Sequence, residues 1–131
     1  MIMTSAVMCL ALNVYYEARN QDDIKAQAAV AQVVMNRVNN KHYPDTVCAL
    51  VKQKKNNICQ FSWYCDGKSD VPQNAKAFLI AQIIAYNVLG GHYIGLVENA
   101  THYHATYVRP DWAETKTKVV QIGEHIFYRW E

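Results

Sequence analysis

Two stretches of helical periodicity occupy the first third of the chain and constrain its architecture more than any other feature. Between Ser5 and Arg19, apolar side chains recur at Val7, Cys9, Leu10, Ala11, Val14 and Ala18, close to the i, i+3, i+4, i+7 pattern of a helix with one buried stripe. Thr4 or Ser5 can cap its start, and Asn20 and Gln21 break it. Asp22 or Asp23 caps a second helix through Ile24, Ala28, Ala31, Val34, Met35 and Val38, which ends at Asn39-Asn40. Both stripes need a partner surface, so two firmly packed amphipathic helices are expected.

Beyond them the pattern changes twice. Pro44 opens a short helical turn with Val47, Leu50 and Val51, and residues 54–70 are polar, aromatic and without period, which predicts an irregular loop or short hairpin lining a cleft. A third long helix runs from Gln73 through Ala77, Ile80, Ala81, Ile84, Ala85 and Val88 to Gly90-Gly91. Its nearly all-apolar middle predicts a place at the centre of the core. Residues 101–108 alternate weakly, and Val119 to Ile122 followed by His125 to Tyr128 reads as a β-hairpin turning at Gly123. The fold class is therefore α+β, mainly helical, with a small C-terminal hairpin or sheet.

With 131 residues, no internal repeat and no linker, the chain reads as a single domain over 1–131. A domain of this length buries roughly two-thirds of its unfolded surface, so stability alone requires no metal. The formal charge is only +2, and Lys52, Lys54 and Lys55 are its one basic cluster, so nucleic acid is not an expected partner. The mild excess favours encounter with an anionic polymer or envelope surface. The N-terminal apolar stretch lacks a basic leader and a cleavage site, and Asn13 and Glu17 interrupt it. A chain made in the cytoplasm, monomeric and without stable membrane insertion, is the expectation. Of the four cysteines, Cys9 reads as a free core thiol; a disulfide among Cys48, Cys59 and Cys65 is the lesser reading, and their spacing is not that of a zinc ribbon.

Three features could carry chemistry. Glu17 follows Tyr15-Tyr16 at the C-terminal end of the first helix, where a negative charge opposes the helix dipole. On spacing alone a surface role paired with Arg19 or Lys25 is the stronger reading; the alternative is a carboxyl kept protonated by apolar neighbours and able to donate a proton. The run Gln60-Phe61-Ser62-Trp63-Tyr64 joins rings that could stack on sugars to groups that could bond sugar hydroxyls, although Phe61 or Trp63 could equally cover the core. Third, Thr101-His102-Tyr103-His104 precedes Arg109-Pro110-Asp111-Trp112. Two histidines at i, i+2 on a strand share a face, but no third metal ligand stands at a recognisable spacing, so substrate contact or packing is preferred to metal binding. GxSxG, HExxH, P-loop and GxGxxG motifs are absent. A Cys/His peptidase built from Cys59 or Cys65 with His102 or His104 stays open.

Six ordered segments carry a resemblance: Ala11 to Arg19, Gln27 to Val38, Tyr43 to Cys48, Gln60 to Ser62, Ala100 to His104 and Ile122 to Arg129. Together they resemble the SleB-like cell wall hydrolases, a family that includes spore-cortex-lytic and phage endolysin-like enzymes. The resemblance implies a lysozyme-like α+β catalytic domain, and with no complete metal-ligand set visible no cofactor is expected. It also implies peptidoglycan glycan strands as substrate, Glu17 as general acid, and a cleft bordered by Phe61 and Ser62. The substrate-contacting set is then Tyr16, Gln60, Phe61, Ser62, Trp63, His102, Tyr103, His104 and Trp112. One assigned carboxyl favours a lytic transglycosylase that leaves 1,6-anhydromuramic ends over a hydrolytic muramidase, with a non-catalytic wall-binding module as a further alternative. Asn20 and Gln21 depart from the glycine and acidic residue usual after Glu-Ala-Arg in the family. A bare catalytic domain without an export signal resembles a phage lysis enzyme, with a bacterial or prophage housekeeping hydrolase as the competing reading.

Overall fold

Three long helices form where the periodicity predicts them in a computed structural model that describes residues 4–18, 21 and 23–130. The helices are α1 (Ser5–Ala18), α2 (Ile24–Val38), the short α3 (Val47–Val51) and α4 (Ala75–Leu89). The strands are β1 (Lys54–Lys55), β2 (Ile58–Cys59), β3 (His102–Ala105), β4 (Thr117–Ile122) and β5 (His125–Arg129). Side-chain caps start each helix, with Thr4 accepting from the Val7 N–H, Asp23 from Lys25, Thr46 from Ala49 and Asn74 from Ala77. Arg19, Asn20 and Asp22, which the sequence offers as a helix end, an ion-pair partner and an alternative cap, lie outside the described residues.

The central helix is α1, packed against α2, α3 and α4, with Leu10, Ala11 and Val14 fully buried. Burying a side chain such as Leu10 or Val14 contributes about 1.5–3 kcal/mol. This corrects the expectation for the third long helix. α4 buries Ala81, Ile84, Ala85 and Val88 but leaves Leu79, Ile83 and Tyr86 about half exposed on its outer side. An all-apolar sequence does not say which stripe of a helix faces inward.

Two apolar clusters make up the core. α2 serves both, sending Ala28, Ala31 and Val34 toward α1 and α4, and Ala29, Val30 and Val33 toward Val97, Ala100 and Phe127 under the sheet. Leu96 packs against both clusters.

The C-terminal sheet is antiparallel with order β3-β5-β4, Tyr103 opposite Phe127 and Ile122 opposite His125. Gly123 turns the β4–β5 hairpin at φ +59, and a Cβ there would stand 2.8 Å from Gln21 Oε1. That same oxygen accepts from the Glu124 N–H, so the hairpin tip is seated on the α1–α2 junction. A smaller hairpin joins β1 to β2 through Asn56 and Asn57 at φ 54 and 65, the two left-handed residues of a type I′ turn.

All four cysteines are paired. Cys9–Cys48 ties α1 to α3, with Cα atoms 5.2 Å apart, and Cys59–Cys65 closes the loop around Gln60 to Tyr64, with Cα atoms 6.0 Å apart. The expectation of a free thiol at Cys9 is thereby overturned. Helical periodicity places Cys9 on an inward face but carries no information about the thiol it meets there.

Candidate active site

Glu17 sits on the last turn of α1, and its Oε1 accepts a hydrogen bond from the Tyr103 hydroxyl on β3. Burial, which penalises the charged form, raises the carboxyl above its ordinary 4.5; the Tyr103 hydrogen bond and the Arg37 charge pull it back only in part. Tyr103 is raised well above its ordinary value by burial and by the neighbouring carboxyl, so it acts as a donor. The carboxyl therefore holds its proton to a higher pH than an exposed glutamate does, with the phenol as its hydrogen-bond donor.

Arg37 holds this geometry from the last turn of α2. Its Nε donates to the Thr101 carbonyl at 2.7 Å, and its guanidinium lies 5.4 Å from the Tyr43 ring and 5.5 Å from the Phe61 ring. Its Nη1 is buried without a hydrogen-bond partner among the described residues. Asn36 on the same turn donates to the carbonyls of Glu98 and Ala100 at 3.0 and 2.8 Å. These bonds fix the chain entering β3, and with it Tyr103.

Glu17, Arg37, Gln60, Phe61, His102, Tyr103 and Trp112 line a cavity of about 180 Å³. Six of the residues singled out in the sequence thus meet at one place. The other four do not line it. Trp63 is 6% exposed, donates its indole N–H to Asn13 at 2.9 Å and stacks on Tyr16 at 5.1 Å, so its ring is engaged in packing. Ser62 is exposed beside them, and the His104 ring is stacked on Tyr128 and hydrogen-bonded to its hydroxyl.

His102 and His104 do share a face of β3, with rings 5.1 and 5.7 Å from the Trp112 ring. His102 is lowered to about 4 by burial and by the Arg37 and Lys116 charges, so it is neutral near pH 7. Among the described residues, no three His, Cys, Asp or Glu side chains converge as a metal site. The Cys/His peptidase reading fails because no described cysteine is free to act as a nucleophile.

Arg37 is the site residue that the reading of individual side chains missed. The available signal was its position, three residues after Val34 and four after Val33, where a charged side chain interrupts a buried stripe.

The profile of the Cell Wall Hydrolase family matches residues 21–128. A spore cortex-lytic enzyme of Oceanobacillus iheyensis is 30% identical over 122 residues, covering 92% of this chain and 40% of that protein. One from Bacillus cereus is 27% identical over 124 residues, covering 92% and 43%. The chain therefore spans about two fifths of the length of the curated relatives it matches. Among solved structures, the catalytic domain of the germination-specific lytic transglycosylase SleB from Bacillus anthracis superposes with a TM-score of 0.75 at 24% identity, covering 97% of both chains. The catalytic domain of the Bacillus cereus SleB protein gives 0.68 at 25% identity, covering 98% of this chain and 93% of that one. The architecture is the lysozyme-like α+β fold of those domains. By the reach of its profile match and the fold around Glu17, the chain belongs to the cell wall hydrolase family.

Proposed function

We propose that this chain is a catalytic domain that cuts the glycan strand of peptidoglycan between N-acetylmuramic acid and N-acetylglucosamine as a lytic transglycosylase. The observation that carries the reading is that Glu17, raised in pKa by burial, is the one carboxyl among the described residues lining its cavity. Relatives described as spore cortex-lytic enzymes support the same class of substrate. In this reading the protein acts on the cell wall as a monomer. Among the described residues no helix is long and apolar enough to cross a membrane.

The chemistry follows from one acid. When Glu17 is protonated, the Tyr103 bond to Oε1 leaves its proton on Oε2, from which it passes to the glycosidic oxygen as the C1–O bond breaks. A hydrolytic route would usually enlist a second carboxylate. Without one, the C6 hydroxyl of the muramic acid attacks its own C1, and the Glu17 carboxylate removes the hydroxyl proton. The products are a free 4-hydroxyl on one side and a 1,6-anhydro ring on the other, with no water consumed and the acid regenerated. Gln60, Phe61, His102 and Trp112 contact the sugars on either side of the broken bond.

Digestion of purified peptidoglycan, read by mass spectrometry of the muropeptides, tests this. Anhydromuramic ends, one water lighter than reducing ends, are the expected result. Reducing muramic ends throughout would reassign the chain as a muramidase with the same acid, and intact glycan strands would remove glycosidase chemistry altogether.

A further inference from the structure

A second polar cavity, of about 380 Å³, opens next to the one that holds Glu17. Thr101, which borders the second cavity, immediately precedes His102, the first residue of β3, which borders the first. The Trp130 ring, which lines the second cavity, stands edge-on to the His102 ring at 5.0 Å.

The lining of the second cavity is mixed and electrically balanced. Glu98 brings one negative charge and Arg129 one positive charge. Asn39 uses its Nδ2 on the Met35 carbonyl and keeps its oxygen, whereas Asn40 uses its oxygen on the His42 N–H and keeps its Nδ2. Asn99 is exposed, and its amide makes no hydrogen bond to the protein among the described residues. Trp130 is 43% exposed and is held by the Lys116 ammonium 4.1 Å from its ring centroid. The Glu98 segment is pinned to α2 by the two Asn36 hydrogen bonds, so the site is largely pre-formed.

We propose that this cavity is a saccharide subsite, taking an uncharged N-acetylated sugar ring next to the one cleaved at Glu17. Ring hydroxyls donate and accept in equal measure, which matches amides plus one carboxylate and one guanidinium, and an indole face suits the apolar side of a pyranose. A peptide stem rich in carboxylates would require a surplus of cationic lining, which this cavity lacks. Its volume falls in the range of about 300–1,000 Å³ common for small-ligand sites. The proposal rests on the glycan-strand reading above and deepens it.

The test is amide NMR of the full chain carrying Glu17→Gln, titrated with peptide-free glycan strands and, separately, with peptide-bearing strands. With peptide-free strands, the Trp130 indole N–H and the Asn99 side-chain signals are expected to shift. Asn99→Ala, at an exposed position, should weaken binding roughly five-fold, the scale of one net hydrogen bond. Trp130→Ala should weaken it about ten-fold. Shifts at these residues only with peptide-bearing strands would overturn the proposal in favour of a peptide site. Glycan-induced shifts at Phe61 and His102 with Trp130 and Asn99 unmoved would overturn it while leaving the enzyme reading intact. If Trp130 responds but the unsubstituted chain cleaves no glycan, the subsite stands and the transglycosylase reading falls.

Discussion

The Tyr103 hydroxyl donates to Glu17 Oε1 across 86 positions of the chain, joining the end of the central helix to an edge strand. This contact lets one residue orient the acid and tune it at once. Burial drives the carboxyl toward its neutral form, while the hydrogen bond stabilises its charged form.

Tyr103→Phe tests that balance. Activity that needs neutral Glu17 falls as pH rises through the raised pKa. Removing a bond that favours the carboxylate raises the pKa further, so the basic limb of the pH–rate profile is expected to move to higher pH. Loss of orientation should lower kcat on the order of ten- to a hundred-fold. A basic limb that stays in place or moves down would show that Tyr103 does not act on Glu17 in this way.

Glu17→Gln should fold normally and lose at least about two to three orders of magnitude in rate, measured by dye release from peptidoglycan. Stability should move the other way. A raised folded-state pKa means that the native protein holds this proton more tightly than the unfolded chain, so stability declines as pH rises from the ordinary 4.5 through the folded value. The Gln variant should therefore melt higher than wild type at neutral pH and lose that advantage below about 4.5. Equal melting temperatures at every pH would contradict the burial argument.

The two disulfides should separate in effect. Cys9–Cys48 spans 39 positions and links two helices, so its removal as a double serine variant should cost about 3–4 kcal/mol in denaturant titration. Cys59–Cys65 spans only 6, and its loss should cost about 2 kcal/mol while raising KM, because it brackets Gln60 and Phe61 at the cavity. A larger stability loss from the shorter loop would reverse the entropic reasoning.

His102 should titrate near 4 by NMR, because burial and the Arg37 and Lys116 charges disfavour its protonated form. An unfolded histidine takes up its proton near 6.5, so the associated stability is complete above that pH and is lost as pH falls toward about 4. A midpoint near 6.5 in the folded protein would place the ring in solvent instead.

EDTA is expected to leave glycan cleavage intact, since no three potential ligands converge among the described residues. Inactivation by EDTA with recovery on added zinc would bring His102 and His104 into the chemistry.

Local order was legible wherever one periodicity dominated. The stripes of α1 and α2, the caps at Asp23 and Thr4, the turn at Gly123 and the position of Glu17 at a helix end all follow from side chains within a few residues of one another. The Asn56-Asn57 turn was readable only as a choice between loop and hairpin, because nothing local says whether β1 and β2 have apolar partners.

Tertiary packing decided the rest. The buried side of α4, the Cys9–Cys48 pair, the Arg37 bond to Thr101 across 64 positions and the Tyr103 bond to Glu17 all join segments far apart in the chain. Sequence pattern records which residues prefer to leave water and at what period, so it determined the elements and the class of fold. It holds no distance between one element and another. Whether Glu17 became a solvated surface charge or a buried acid depended on β3 and the loop after β2 closing over the end of α1, which only the assembled core enforces.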